Sequence, residues 1–275
     1  MSALNAGLRA VFDLILSPLS ELAPLVGVAL ASLAVAVAML LVYKRTSNQR
    51  ALAEVKRQIQ AGLFEIRLFN DDLRAILRSQ LEILRHNLTY FRLSLAPMLW
   101  MLLPLLLVIA QLQFHYGYEG LSPGEAAILR VQLGDGWDEA RRPRASLDVP
   151  EGLRVETPAL WAPGLRQVAW RLGAERPGEY QLTIHVDGET QVKSAVVSDA
   201  VVRRSPIRVS PGFVDQLLYP AEDPLPPGGA IRSISLAYPE RNVWFLGWDL
   251  HWLIVLFALS IAFAFLLRGP FGVTI

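Results

Sequence analysis

The chain has 275 residues, of which 53% are hydrophobic and 19% charged, and its mean hydropathy is +0.35. Soluble domains carry about 25% charged residues, so this balance excludes a soluble enzyme, and the apolar content excludes intrinsic disorder. A net charge of +1 supplies no basic field for nucleic acid, and a chain without cysteine has no thiol chemistry, disulfide or cysteine-based metal site.

In residues 1–21, Leu4, Leu8, Val11, Phe12, Ile15 and Leu19 recur at helical spacing. They predict an amphipathic helix lying at the membrane interface and stopped near Pro18. Residues 22–43 are the first of three charge-free blocks, and each reaches the roughly 20 residues that cross a bilayer core of about 30 Å. The segment before it holds Arg9, Asp13 and Glu21 rather than the short basic start of a cleaved signal. It is therefore expected to remain as transmembrane helix 1.

Residues 44–92 contain no proline, and apolar residues fall at 52, 55, 59, 63, 66, 69, 73, 76, 77, 81, 84, 88 and 91. Steps of three and four predict amphipathic, coiled-coil-like helix. One straight helix of about 50 residues would run roughly 75 Å, whereas the chain has to return to the same membrane face. Asn70, Asp71 and Asp72 are turn-forming residues that divide the segment into equal arms, and they are expected to form the tip of a helical hairpin. Residues 93–114 give transmembrane helix 2, in which Pro97 and Pro104 are expected to kink the helix and free carbonyls.

Residues 115–243 carry most of the glycine and proline, with alternating stretches at 127–133, 167–172 and 180–186 and further strands expected at 191–197, 206–209 and 231–236. That pattern predicts an all-β sandwich. The run Pro177-Gly178-Glu179-Tyr180-Gln181-Leu182-Thr183-Ile184 resembles a segment of immunoglobulin-like domains, in which a glycine turn leads into a strand whose tyrosine packs at a corner. Residues 244–268 are read as transmembrane helix 3, with Trp244, Trp248 and Trp252 at its boundary, and 269–275 as a cytoplasmic tail.

Loop charge orients the chain. Residues 44–92 hold 10 Lys/Arg, with Lys44, Arg45 and Arg92 next to the spans, and Arg268 follows the third block. The positive-inside rule then puts the N-terminus and the β-domain outside, and the hairpin and tail in the cytoplasm. The expected architecture is an integral membrane α-helical protein with a cytoplasmic helical hairpin and an extracytoplasmic immunoglobulin-like sandwich. The expected location is a bacterial inner (cytoplasmic) membrane, which makes the β-domain periplasmic.

The chain offers little chemistry. His86, His115, His185 and His251 are scattered without ligand spacing, and phosphate-loop, dinucleotide and nucleophile-elbow motifs are missing. No catalytic residue, metal or cofactor is expected.

The order helix, cytoplasmic hairpin, helix, outer insertion, helix resembles the core of the YidC/Oxa-type membrane insertase superfamily. In that family a cytoplasmic coiled coil joins the first two core helices, and the second begins with a Met- and Pro-rich stretch. Here the matching stretch is Leu95-Ala96-Pro97-Met98-Leu99-Trp100-Met101-Leu102-Leu103-Pro104, and Gln80 to Phe91 resembles the second coiled-coil arm. The resemblance covers residues 22–114 and, loosely, 244–268. A β-domain replaces the transmembrane hairpin of bacterial members, and no basic residue lies within the first two spans. Polar groups facing a groove would have to be Ser32, Gln111, Gln113 or Ser260. The resemblance implies a membrane-protein insertase or biogenesis factor whose partners are the lipid bilayer and nascent or client membrane proteins. The alternative from another class is a scaffold that binds protein partners through the β-domain and the hairpin.

Overall fold

The computed structural model describes residues 2–68 and 73–273. They form two compact units: Met1–Val28 with Leu107–Val255, and Ala29–Leu106 with Leu256–Ile275. Three helices are long and apolar enough to cross a membrane: Pro24–Thr46 (α2), Ile76–Tyr116 within the helix Leu73–Tyr116 (α4), and Trp252–Phe271 (α6).

In the helical unit, α2 ends in Lys44 and Arg45, cations suited to the negative end of the helix dipole. The Lys44 ammonium donates to the Phe271 carbonyl of α6 at 2.7 Å. After a short break, Asn48 caps the helix Gln49–Leu68 (α3) by accepting the Ala51 N–H at 3.1 Å. α3 and α4 fold back on one another: a methyl group added to Gly62 would stand 2.7 Å from Cγ1 of Ile83. Leu52, Val55 and Ser79 are buried. The tip expected at Asn70, Asp71 and Asp72 lies outside the described residues. α4 runs without interruption through Pro97 and Pro104.

The other unit is built on β-strands. Ala126–Leu133 (β1), Ala145–Asp148 (β2), Leu153–Val155 (β3), Leu160–Ala162 (β4), Gln167–Ala174 (β5), Gly178–Val186 (β6), Glu189–Val197 (β7), Ile207–Val209 (β8) and Ile231–Leu236 (β9) form two antiparallel sheets. One has the order β3-β5-β1-β9-β8, with β4 also on β5, and the other is β2-β6-β7. Alternate residues of both sheets share one core, including Leu129, Val131, Trp170 and Leu172 from the first and Leu182, Ile184 and Val197 from the second. At the start of β6, the Tyr180 hydroxyl donates to the Arg176 carbonyl at 2.8 Å, which locks the glycine turn that precedes the strand.

Two boundaries differ from the sequence reading. Residues 244–251 do not open the third span. Asn242–Phe245 (β10) and Trp248–His251 (β11) pair as a hairpin through Leu246 and Gly247, both at positive φ, and the helix starts at Trp252. The reason is local: a two-residue turn of this kind needs positive φ at both positions, and the His251 ring then accepts the Leu253 N–H at 3.3 Å to cap the helix. At the other end, α6 continues past Arg268 to Phe271, so part of the expected tail is helix.

The β-rich unit is also not contiguous in sequence. The helix Ser2–Leu16 (α1) belongs to it. Asn5 donates to the Gln216 carbonyl at 2.7 Å, Arg9 pairs with Asp223 at 2.5 Å, and Asp13 pairs with Arg203 at 2.7 Å. Gln216 lies on the short helix Phe213–Leu218 (α5). Arg204, fully buried, is caged by the carbonyls of Tyr118, Ser198, Ala200 and Val202, and its own N–H donates to the Phe114 carbonyl at the end of α4.

Candidate functional site

The groove residues divide between the units. Ser32 and Ser260 meet in the helical unit. The Ser32 hydroxyl donates to the Leu256 carbonyl at 3.2 Å, the Ser260 hydroxyl donates to the Ser32 carbonyl at 3.3 Å, and Ser32 is completely buried. Their small side chains serve a close α2–α6 seam, which is the use membrane helices commonly make of serine. Gln111 and Gln113 belong to the β-rich unit. Gln111 is buried and its carbonyl meets Nδ1 of His115, whereas the Gln113 side chain accepts the indole N–H of Trp252 at 3.2 Å. Pro97 and Pro104 lie inside α4, where each lacks the N–H that would bond the carbonyl four residues earlier. The acceptors concerned are those of Leu93 and Trp100.

The unusual feature of α4 is what it leaves bare. Leu77, Leu81, Leu84, Leu88, Phe91, Leu95, Met98 and Leu102 follow one another at steps of four and three, and each is between 38% and 70% exposed. This spacing keeps one face of the helix. The opposite face carries buried Ser79 and the Ile83 that packs on Gly62. An amphipathic helix of a soluble protein turns its apolar stripe inward. Here the stripe points away from α3 and runs about 38 Å, at 1.5 Å per residue, from the hairpin arm into the charge-free stretch. Exposed Arg74, Arg78, Arg85 and Arg92 flank it on one side by helical position. Within the most apolar window of this helix only 6% is buried.

The β-rich unit holds a polar cavity of about 410 Å³ lined by α1, the end of α4 and β6–β7. Of the charged residues that line it, Asp13, His115, Arg203 and Glu222 are engaged in ion pairs. Asp13 bridges Arg203 and Nε2 of His115, the latter at 3.2 Å. Lys193, with no exposed surface, donates to Glu222 at 2.5 Å and to the Ser205 carbonyl at 2.6 Å. Glu222 also accepts the Ser194 N–H at 2.8 Å and the Ser205 hydroxyl at 2.5 Å. Burial holds the Lys193 ammonium below its ordinary range against the pull of Glu222. Burial pushes Glu222 up, but the Lys193 charge and the hydrogen bonds outweigh it and leave the carboxyl below its ordinary range. The two ring nitrogens of His115 face the Asp13 carboxylate and the Gln111 carbonyl, both acceptors, so the single N–H of a neutral ring serves one of them at a time. Among the described residues no group of three His, Cys, Asp or Glu side chains is arranged to hold a metal ion.

Sequence reasoning found the periodicity of α4 but read its face as a seam, because spacing identifies a face and not what covers it. It missed the paired charges of the cavity, which lie far apart in the chain and leave no local signal. No known family model matches this chain, and no curated protein matches it.

Proposed function

We propose that this is an integral membrane protein that receives apolar segments of client membrane proteins on the cytoplasmic side and passes them into the bilayer, as an insertase or biogenesis factor of the YidC/Oxa type. The observation that carries the reading is the continuous apolar face of α4 from Leu77 to Leu102, exposed along the hairpin and extending into a helix apolar enough to span. An apolar client helix laid on that face leaves water before it reaches lipid, which lowers the barrier to entry, while the arginines beside it suit the headgroup boundary. The carbonyls freed by Pro97 and Pro104 offer acceptors to a passing backbone where water is scarce. In this reading α2, α4 and α6 span a bacterial inner membrane. The N-terminus and the β-rich unit lie outside, the latter as an immunoglobulin-like domain, and the α3–α4 hairpin is cytoplasmic. Membership of α1 in the β-rich unit supports placing the N-terminus and the strands on one side, since two spans separate them, while loop charge alone says which side.

The test is site-specific photocrosslinking in the full chain. A photoreactive residue at Leu81, Leu84 or Leu88 is expected to capture a ribosome-bound nascent chain with an exposed apolar segment, and one at Arg78 is not. Equal capture at Arg78, or none at the three leucines, would overturn the proposal.

One observation favours the scaffold reading. Ser32 and Ser260 are used in a helix seam, so the polar groove of an insertase is not supplied by them. In a scaffold the α4 stripe would seat the helix of a protein partner, and crosslinks would then appear in membranes stripped of ribosomes.

A further inference from the structure

The apolar surface of the β-rich unit is as informative as its core. On α1 the usual amphipathic arrangement is inverted: Asn5, Arg9, Asp13 and buried Leu16 face the unit, while Leu4, Val11, Leu14 and Ile15 are bare. The inversion is enforced by three long-range polar contacts and is not a fraying end. Alongside it, α5 is held by the Asn5 bond to the Gln216 carbonyl and exposes Phe213, Val214 and Leu218. A third exposed group lies at the β10–β11 turn, where Trp244 and Trp248 flank Leu246, the last 82% exposed.

Leu246 also has a backbone conformation that disfavours it, with φ at +50°. A left-handed residue other than glycine costs about 1–2 kcal/mol, and the first position of such a turn normally goes to Asn, Asp or Gly. Leucine there stabilises neither the turn nor a core. It makes sense where the tip meets an apolar phase.

The position of these groups in the chain says which phase. In the same unit, the start of α2, the end of α4 and the start of α6 converge. Gly27 lies against the Tyr116 hydroxyl, Tyr116 and Trp252 rings stand 6.5 Å apart, and Trp252 bonds Gln113. α1 ends at Leu16 and α2 begins at Pro24, and Leu246 at the turn lies six positions before Trp252, the first residue of α6. Two of the three apolar groups thus lead directly into span ends, and the third is bonded to the first.

We propose that the β-rich unit sits on the bilayer through three apolar insertions, α1, α5 and the Trp244–Leu246–Trp248 turn, and that its partner on this face is the lipid interface. The seat rests on reading α2, α4 and α6 as spans. Tryptophan at the tip suits the headgroup boundary, where its ring is amphipathic, and an in-plane helix with a bare apolar face is the form interfacial anchors take.

The chain has no cysteine, so single thiols can be placed cleanly in the full-length protein. Val11→Cys, Val214→Cys and Leu246→Cys are spin-labelled in vesicles of phosphatidylethanolamine and phosphatidylglycerol. Leu33→Cys, exposed on α2, reports the span itself. Gly164→Cys, in open space at the Gln167 end of β5, reports water. The expected result is oxygen accessibility severalfold above, and nickel-chelate accessibility severalfold below, the Gly164 values at all three sites. Nickel access at Val214 or Leu246 equal to that at Gly164 overturns the seat while a shielded Leu33 leaves the spans standing. An exposed Leu33 overturns the spans. Dipolar broadening between labels at Val214 would mean that a second copy covers this face, which also overturns a lipid seat. As a check without labels, in a Trp100→Phe background that removes the exposed tryptophan of α4, Trp244→Phe with Trp248→Phe is expected to remove most of the fluorescence quenching caused by brominated lipids. Undiminished quenching counts against the tip.

Discussion

The pair Lys193–Glu222 allows a quantitative test of how the β-rich unit is held together. Lys193 has no exposed surface and the Glu222 side chain is 17% exposed, so their attraction is little screened by water. Removing one partner of such a pair costs about 3–5 kcal/mol, because the other is left buried and uncompensated. Lys193→Met and Glu222→Gln are therefore each expected to destabilise the unit by about 3–5 kcal/mol. Glutamine is the informative replacement, since its oxygen can still accept from the Ser194 N–H and the Ser205 hydroxyl. The double variant is expected to lose far less than the sum of the two single losses, staying within about 2 kcal/mol of the parent, because no buried charge is left uncompensated. The assay is urea unfolding of the full chain in detergent micelles, followed by tryptophan emission, to which Trp170, 3% exposed in the core, is one of seven contributors. The pH dependence has a fixed sign. Glu222 is held below its ordinary range in the folded protein, so its contribution is present above the unfolded carboxylate value and is lost as pH falls through the folded one. Single losses under about 1 kcal/mol, the range of solvent-exposed pairs, would refute the burial argument, as would a double variant no better than additive.

At the alkaline end, burial raises Tyr238, and its hydroxyl is pushed up to about 12. The folded state keeps a proton that the unfolded state loses, so the unit is expected to lose roughly 2–3 kcal/mol between pH 10 and 12 at about 1.4 kcal/mol per pH unit. Tyr238→Phe should remove that contribution to the slope while orphaning the Val196 N–H, which the hydroxyl accepts at 2.8 Å. In the hairpin, Gly62→Leu must displace Ile83, and overpacking of this kind costs about 1–3 kcal/mol. Spin labels at Arg57 and Arg85 should then read a longer separation, and an unchanged distance would refute the close approach of α3 and α4.

Much of the fold is legible because its signals are local. A charge-free run of span length is visible by inspection, and the strands Gln167–Ala174 and Gly178–Val186 show alternation, at Val168, Trp170 and Leu172 in the first and at Tyr180, Leu182, Ile184 and Val186 in the second. β2, β3 and β4 are three or four residues long, too short for a period to register. The β10–β11 hairpin was hidden by its own tryptophans. Trp244, Trp248 and Trp252 look alike in sequence as boundary residues, yet Trp252 is completely buried while the other two are bare. Serines inside an apolar run are equally ambiguous. Ser32 and Ser260 fit a groove or a seam by composition, and only their bonds to carbonyls across the helix pair distinguish them. The polar docking of α1 had no sequence signal, because nothing about Asp13 identifies Arg203 as its partner.

That docking imposes a schedule on biosynthesis. Asn5 and Gln216 are 211 residues apart, and at a synthesis rate of about 5–20 residues per second their meeting waits roughly 10–40 seconds. During that interval α1 has emerged with its polar side unmatched, while α2, α4 and the strands have still to be made. An amphipathic helix left waiting beside a membrane can rest its apolar side in lipid. The half of α1 that stays bare in the finished protein is the half that can hold it in place until the β-rich unit arrives to claim the other.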